Sequence, residues 1–309
     1  MNRNVKLGRD QERKCLELIG RFGWLRIQEI SMFQWPYDIY RSDFDIDKAS
    51  KTEVNKYHYA QSLVKKLVAD DKVSTQKLPN HAGTVVVLKE KGAKIVRAMG
   101  YKKVKRTKLI ADDEGHMIWN PGPNWKHDLM IHGFTALAYV DPYFSENEPI
   151  FLTEKEQKQT VPENNRPLYA EHDDHIKYTD LLIEREQNGM LGIEFERSRK
   201  FGVKNRAPLV KNLIQTNQLN GKTIHNFNGL EPSKIAVAYN PDEKEKTKAG
   251  GYKKINHFAN IYTSTVKRMR KEGIKNIEFI FFELKIKNFG VISYQSRIFD
   301  YDPSFDPTL

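Results

Sequence analysis

From Asp180 to Arg197 the chain reads as two short strands folded back on one another. Asp180-Leu-Leu-Ile183 opens the first strand, Met190-Leu-Gly-Ile-Glu-Phe-Glu-Arg197 forms the second, and Gln187-Asn188-Gly189 lies between them. Asn-Gly is among the strongest short hairpin signals, because these residues tolerate the positive φ that a strand-matching turn demands. Side chains along a strand alternate with a period of two, so Glu194 and Glu196 share one face. Closing the hairpin brings Asp180 close to both. Three carboxylates converging on one sheet face are costly unless a cation holds them together. Oxygen donors of this kind suit Mg2+ or Mn2+, the ions used for phosphodiester chemistry.

The rest of the composition agrees with a polyanionic partner. The chain has 309 residues and a net charge of +11, with 39% hydrophobic residues. That length predicts two domains, since one core rarely grows far past about 250 residues. The charge excess favours nucleic acid first and an anionic membrane surface second. No apolar stretch approaches the roughly 18 residues of a membrane span, so no membrane partner is expected. The start, Met1-Asn-Arg-Asn-Val-Lys6, lacks the apolar segment of a signal peptide, and a cytoplasmic location is expected. The single cysteine, Cys15, forms no internal disulfide and excludes a multi-cysteine zinc site. Basic residues run from Tyr101 to Lys108, then at Arg197, Arg199, Lys200, Lys204 and Arg206, and again from Lys267 to Lys271. Such runs around an acidic site suit a phosphate backbone.

Along the first 100 or so residues, periodicity predicts helices over Asp10–Phe22, Trp24–Phe33 and Thr52–Ala69. Val54, Tyr57, Leu63, Leu67 and Val68 supply most of the apolar surface of the third. Strands are expected over Val73–Lys77 and Thr84–Leu88, then a helix over Glu90–Met99. Three helices and a two-strand wing are the order of a winged helix-turn-helix domain, whose third helix usually enters the major groove. Its polar face offers Lys51, Asn55, Lys56, His58, Gln61, Lys65 and Lys66 to DNA. Pro and Gly in Asn120-Pro-Gly-Pro-Asn124 mark a boundary.

In the second half, helices are expected over Trp125–Val140, Pro208–Leu219, with Pro208 at its first position, and Lys254–Glu272. Strands are expected over Pro149–Thr153, Lys177–Glu184, Met190–Arg197, Ile235–Tyr239 and Ile277–Leu284, with an edge at Val291–Tyr294. The Lys/Glu-rich segment from Asp242 to Lys248 reads as a surface loop. Helix, three strands, helix, strand, helix, strand implies a mixed sheet flanked by helices. His172-Asp-Asp-His175 has the spacing of transition-metal ligands, although a polar loop accounts for it more simply. Tyr178 shares the face of Asp180 and reads as a packing aromatic in preference to a DNA-joining nucleophile.

Tyr178-Thr179-Asp180 followed by Glu194-Phe195-Glu196 resembles the PD-(D/E)XK nuclease superfamily: an acid on one strand, then an acid-x-Lys on the next. The chain departs from that pattern at Glu196, where lysine is usual, and at Thr179, where proline is usual. The departure leaves open which group activates the nucleophile: Lys200 or Arg199 for the missing charge, or Glu196 as general base. His127, in His127-Asp128 at the start of the helix after the linker, is a further catalytic candidate by the same resemblance. With the helix–helix–helix–wing start, the whole resembles the MobC-type plasmid mobilisation relaxases and the wider replication-relaxation family. The resemblance implies an α+β chain. A winged-helix DNA-binding domain spans 1–105, a linker 106–124, and an α/β restriction-endonuclease-like domain with a central mixed sheet 125–309. It implies that Asp180, Glu194 and Glu196 hold Mg2+ or Mn2+, that Arg199 and Lys204 join the third helix in binding DNA, and that one strand is nicked at a plasmid transfer origin. Accessory mobilisation proteins and a coupling protein are the partners it implies. A restriction-type endonuclease cutting both strands and a non-catalytic replication or transcription regulator remain the alternatives.

Overall fold

The computed structural model of the chain describes residues 3–35, 51–101, 104, 107, 110–111, 117–119, 124–144, 149–160, 179–185, 189–196, 203–217, 232–246 and 250–301. The chain is α+β, with a three-stranded antiparallel sheet and a six-stranded mixed sheet. It divides into one unit of residues 1–139 with 287–292, and a second of 140–286 with 293–309. The helix after the expected linker therefore falls in the first unit.

In the first unit, α1 (Arg3–Phe22) begins earlier than the periodicity predicts and ends where Gly23 takes a φ of 86°. That left-handed turn suits glycine and stops the helix. The next three residues correct the sequence reading: Trp24–Arg26 is strand β1, and helix α2 covers only Ile27–Gln34. All three are buried, and they pair with Val85–Val87, where an apolar run finds more partners than a helix face offers. Helix α3 (Lys51–Ala69) leads into β2 (Val73–Lys77) and β3 (Thr84–Leu88), giving a sheet ordered β1-β3-β2, and α4 (Glu90–Ala98) follows. Two short strands, β4 (Ile110–Ala111) and β5 (Met117–Ile118), lie within the expected linker, and α5 (Trp125–Ala138) closes the unit. Cys15 is fully buried, and burial followed by the Glu12 carboxylate pushes its thiol up to about 12. It stays protonated and packs as a small apolar group.

A buried ion pair ties three segments of this unit together. Arg26 and Glu29 have side chains only 3% and 1% exposed. Arg26 Nε donates to Glu29 Oε2 at 2.9 Å, and its backbone N–H donates to the same carboxylate at 3.1 Å. Arg26 Nη1 donates to the carbonyl of Ala82 at 2.8 Å, in the loop between β2 and β3, and to that of Asn288 at 3.4 Å. A Cβ on Gly290 would lie 2.3 Å from Arg26 Nη2, so only glycine leaves room for the guanidinium there.

His132, on α5, is 3% exposed and sits edge-on against Phe22 at 4.8 Å and Trp24 at 4.6 Å. Burial first, then the positive charges of Arg26 and His127, lowers its pKa from 6.5 to about 3. The unfolded chain takes up this proton as pH falls through 6.5, whereas the folded chain refuses it down to about 3. Stability therefore drops across that window by about 1.4 kcal/mol per pH unit. His132→Phe removes this term, so melting temperature declines less steeply between those pH values than in the wild type. Parallel melting curves for the two proteins would refute the assignment.

In the second unit, β6 (Phe151–Thr153) runs directly into α6 (Glu154–Thr160), a helix the periodicity did not predict. Next come β7 (Leu181–Arg185), β8 (Gly189–Glu196), α7 (Val203–Asn217) and β9 (Pro232–Tyr239). The chain continues through β10 (Lys244–Lys246), β11 (Tyr252–Lys254), α8 (His257–Glu272), β12 (Glu278–Lys287) and β13 (Gly290–Asp300). The sheet order is β13-β12-β9-β8-β7-β6. Strands β8, β9 and β12 run parallel, joined by crossovers through α7 and α8, while β6, β7 and β8 alternate in direction. Leu213 of α7 and Ile261 of α8 pack with Val237 of β9 and Phe281 of β12 in one core, so both helices cover one face. Three boundaries differ from the sequence reading. Helix α7 starts at Val203, so Pro208 lies inside it rather than at its first position. Lys254, read as the first residue of α8, ends strand β11 instead, α8 begins at His257, and the predicted edge at Val291–Tyr294 is part of the longer β13.

Asn217, fully buried at the end of α7, fastens that helix to the sheet. Its amide oxygen accepts from Ile235 N at 2.7 Å, and its nitrogen donates to the carbonyls of Ile235 at 2.7 Å and Glu278 at 2.9 Å. Buried backbone groups at the starts of β9 and β12 are satisfied by one side chain.

Candidate active site

The hairpin of β7 and β8 is antiparallel, with Leu181 opposite Ile193 and Arg185 opposite Gly189. Gly189 takes a φ of 72°, the backbone that the Asn-Gly signal predicts at this turn. One step beyond the last ladder pair, Asp180 stands across from Glu194. The ladder then breaks for a local reason. Gln157 of α6 donates to the carbonyl of Thr179 at 2.9 Å, and the Thr179 hydroxyl lies 3.3 Å from Gln157 Oε1. Thr179 is thus drawn off the strand and over Gly192, where a Cβ would approach it to 2.7 Å. Asp180 takes over the vacated bond: its Oδ2 accepts from Phe195 N at 2.8 Å.

Parallel register extends this row of side chains across the sheet. Glu194 is paired with Val237 and Glu196 with Tyr239; Val237 is in turn paired with Phe281, and Tyr239 with Glu283. Directly paired residues on neighbouring strands point to the same side. Glu194 and Glu196 therefore face the α7–α8 layer that packs on Val237 and Phe281. Glu194 is only 2% exposed, and Glu196, the last residue of β8, is partly exposed. A carboxylate buried that deeply costs several kcal/mol unless donors or a cation stand beside it. Asp180 and Glu194 offer hard oxygen donors of the type a divalent cation prefers. Among the described residues, however, no group of three His, Cys, Asp or Glu side chains stands close enough together to hold a metal ion. The pair is placed by register; the trio is not gathered.

In the same row, at the end of β9 and partway along β12 and β13, lies a set that sequence reasoning missed. Tyr239 Oη donates to Glu283 Oε1 at 2.6 Å, and Arg297 Nη2 lies 2.9 Å from that same oxygen. Burial, then the hydrogen bond and charge of Glu283, pushes the Tyr239 phenol well above its ordinary range. It stays protonated and serves as a hydrogen-bond donor. Ligands of open parallel sheets gather outside such strand ends. Only the parallel register β8–β9–β12 brings these residues beside Glu196, and no local sequence signal carries it.

On α3, Ala60, Val64 and Leu67 are buried at helical spacing, and Val68 is 41% exposed, so the core face differs from the one expected. His58, Ser62 and Lys65 are exposed on the opposite side. His58 Nδ1 donates to Gln61 Oε1 at 3.1 Å, and Lys66 is paired with Glu12 of α1. Lys56, partly buried, lies off the line of His58 and Lys65.

Lys204 lies in the first turn of α7. His172, Asp174, His175, Tyr178, Arg199 and Lys200 lie outside the described residues. His127, partly buried near the start of α5, belongs to the first unit, and the three carboxylates belong to the second. Among the described residues no helix is long and apolar enough to cross a membrane. No protein-family model, curated protein or solved structure matches the chain.

Proposed function

We propose that the chain is a metal-dependent DNA endonuclease that nicks one strand, with a winged-helix unit selecting the site and the β7–β8 hairpin carrying the chemistry. The observation that carries this reading is Asp180 standing across from a deeply buried Glu194, with Glu196 one row further on the same face. The element order α5, β6, α6, β7, β8, α7, β9 matches the order that the PD-(D/E)XK resemblance implies except for the added α6. The order α1, β1, α2, α3, β2, β3, with its small antiparallel sheet, supports the winged-helix reading.

In this reading Asp180 and Glu194, the two carboxylates that register sets across from one another, would hold Mg2+ or Mn2+. A divalent cation there supplies charge neutralisation and Lewis acidity toward a phosphodiester. Glu196, at the more open strand end, accepts a proton from the attacking nucleophile. The Tyr239 hydroxyl gives its one proton to Glu283 and so, with Arg297, holds that carboxylate in the row beside Glu196. Helix α3 reads duplex DNA through the line of His58 and Lys65. By the relaxase resemblance, the target is a plasmid transfer origin. The bond between Asp180 and Phe195 N–H favours a second reading, a DNA-binding regulator in which this carboxylate is a strand cap.

Supercoiled plasmid bearing the cognate origin separates these readings. Open circles in Mg2+ or Mn2+ and none in EDTA are expected. Linear product would favour a double-strand endonuclease, and DNA binding without any cleavage would favour the regulator.

A further inference from the structure

Strands β10 and β11 form a two-stranded antiparallel ribbon of their own, where the sequence predicted a surface loop. The ribbon springs from the end of β9, directly after Tyr239, through a turn in which Glu243 N donates to Asn240 O at 3.3 Å. It returns at Ile255, whose N–H donates to Glu243 O at 2.9 Å, and enters α8. It therefore stands at the ends of β8 and β9, which carry Glu196 and Tyr239.

Two features of the ribbon are unfavourable for a piece of chain left in water. Its register sets Lys244 directly opposite Lys254 and Lys246 opposite Tyr252. Like charges directly opposed weaken a strand pair. Asp242 offsets part of this, through a contact of 3.1 Å to Lys254 in which both side chains are well exposed, and Glu245 stands opposite Lys253 in the register. Tyr252, moreover, holds its ring 74% exposed on the same side as Lys254 and Lys244, both of which are exposed. A ribbon without a core of its own is marginal in water. Lysines around a bare aromatic ring, however, are what an unpaired nucleic-acid strand binds: the charges track its phosphates and the ring stacks on a base. A duplex keeps its base faces covered, so the ring favours an opened strand.

We propose that the β10–β11 ribbon is a holding surface for single-stranded DNA, with Tyr252 stacking on a base and Lys244 and Lys254 contacting the backbone. Its role beside the carboxylates rests on the nuclease reading; the binding itself does not. The test therefore uses the full chain in EDTA, where nothing is cut, with fluorescent oligo-dT and a duplex of equal length as probes. Tyr252→Ala is expected to weaken oligo-dT binding roughly 5- to 150-fold, the range for one stacked base, and Tyr252→Phe to preserve it. Duplex affinity should stay within about twofold, because α3 supplies the duplex contacts in this account. Lys244→Ala with Lys254→Ala should reduce the salt dependence of oligo-dT binding by about 1.4 in logarithmic slope. Unchanged oligo-dT binding by Tyr252→Ala overturns the proposal. Equal losses on both probes would make the ribbon a duplex contact, and a loss confined to anionic vesicles would make it a membrane contact; either overturns it. Should the ribbon variants behave as expected while plasmid stays intact in Mg2+, only the nuclease reading fails.

Discussion

Glu194→Gln is expected to reduce Mg2+-dependent plasmid nicking by about a thousandfold or more, while leaving duplex binding at the wild-type level. The size follows from the several kcal/mol that a correctly held cation contributes to phosphodiester cleavage. Glutamine keeps the volume of the buried side chain, which is 2% exposed, so packing against the α7–α8 layer is preserved. It lacks the charge that a divalent cation requires. Duplex binding is unaffected because α3 belongs to the first unit and β8 to the second. Glu196→Gln should cost about a hundredfold or more, in the range of a lost general base. Initial rates of open-circle formation, with circular dichroism as a check on folding, give both numbers. Full nicking by Glu194→Gln would leave the carboxylate as a structural residue and remove the basis of the nuclease reading.

The second large effect concerns stability. Arg26→Met is expected to destabilise the chain by about 3–5 kcal/mol, because it leaves Glu29 charged and buried without its partner. The damage extends beyond the pair: Arg26 also satisfies carbonyls at Ala82 and Asn288, so the β2–β3 loop and the β12–β13 turn both lose an anchor. That turn carries Asn288 and Phe289 at φ of 48° and 64°, an arrangement that costs energy for a side chain as large as phenylalanine. Contacts of Phe289 with the Trp125 ring at 5.4 Å and of Lys126 over Phe289 at 4.8 Å help to hold it. Replacing both charged residues, as in Arg26→Met with Glu29→Met, should recover a large part of the loss, since no lone charge remains buried. Urea titrations of the three variants measure this directly. A loss below about 1 kcal/mol in Arg26→Met would show that the pair is solvated in solution and not a fastening of the fold.

The parts of this molecule legible from its sequence are those whose signals are local. Alternation along Met190–Glu196 and the Asn188-Gly189 dipeptide were enough to place Glu194, Glu196 and Asp180 on one hairpin. Helical spacing gave α3 and α8, although not their first residues. Segments whose state depends on distant partners were not legible. Trp24–Arg26 reads as the start of a helix, since apolar periodicity continues into Ile27; only pairing with Val85–Val87 makes it a strand. Pro208 carries the signal of a helix start, yet α7 begins at Val203 and Pro208 falls within it. The Lys/Glu composition of Asp242–Lys248 hid half of a ribbon whose other half lies beyond Gly250. Tyr239, Glu283 and Arg297 are separated widely in sequence and meet only through long-range pairing. Asp180 is the instructive case. Its position was predictable, but its bond to Phe195 N–H depends on Gln157 pulling Thr179 aside, and no strand periodicity encodes that.

Mn2+ binding tests the central claim at its source. Free aqueous Mn2+ gives a paramagnetic resonance signal that falls as the ion binds, so titration of the full chain counts bound ions without DNA or cleavage. The wild-type chain is predicted to take up Mn2+, with Mg2+ competing for the same site, and Asp180→Asn with Glu194→Gln to abolish that uptake. Equal uptake by the wild type and the double variant, or none by the wild type, would contradict the account.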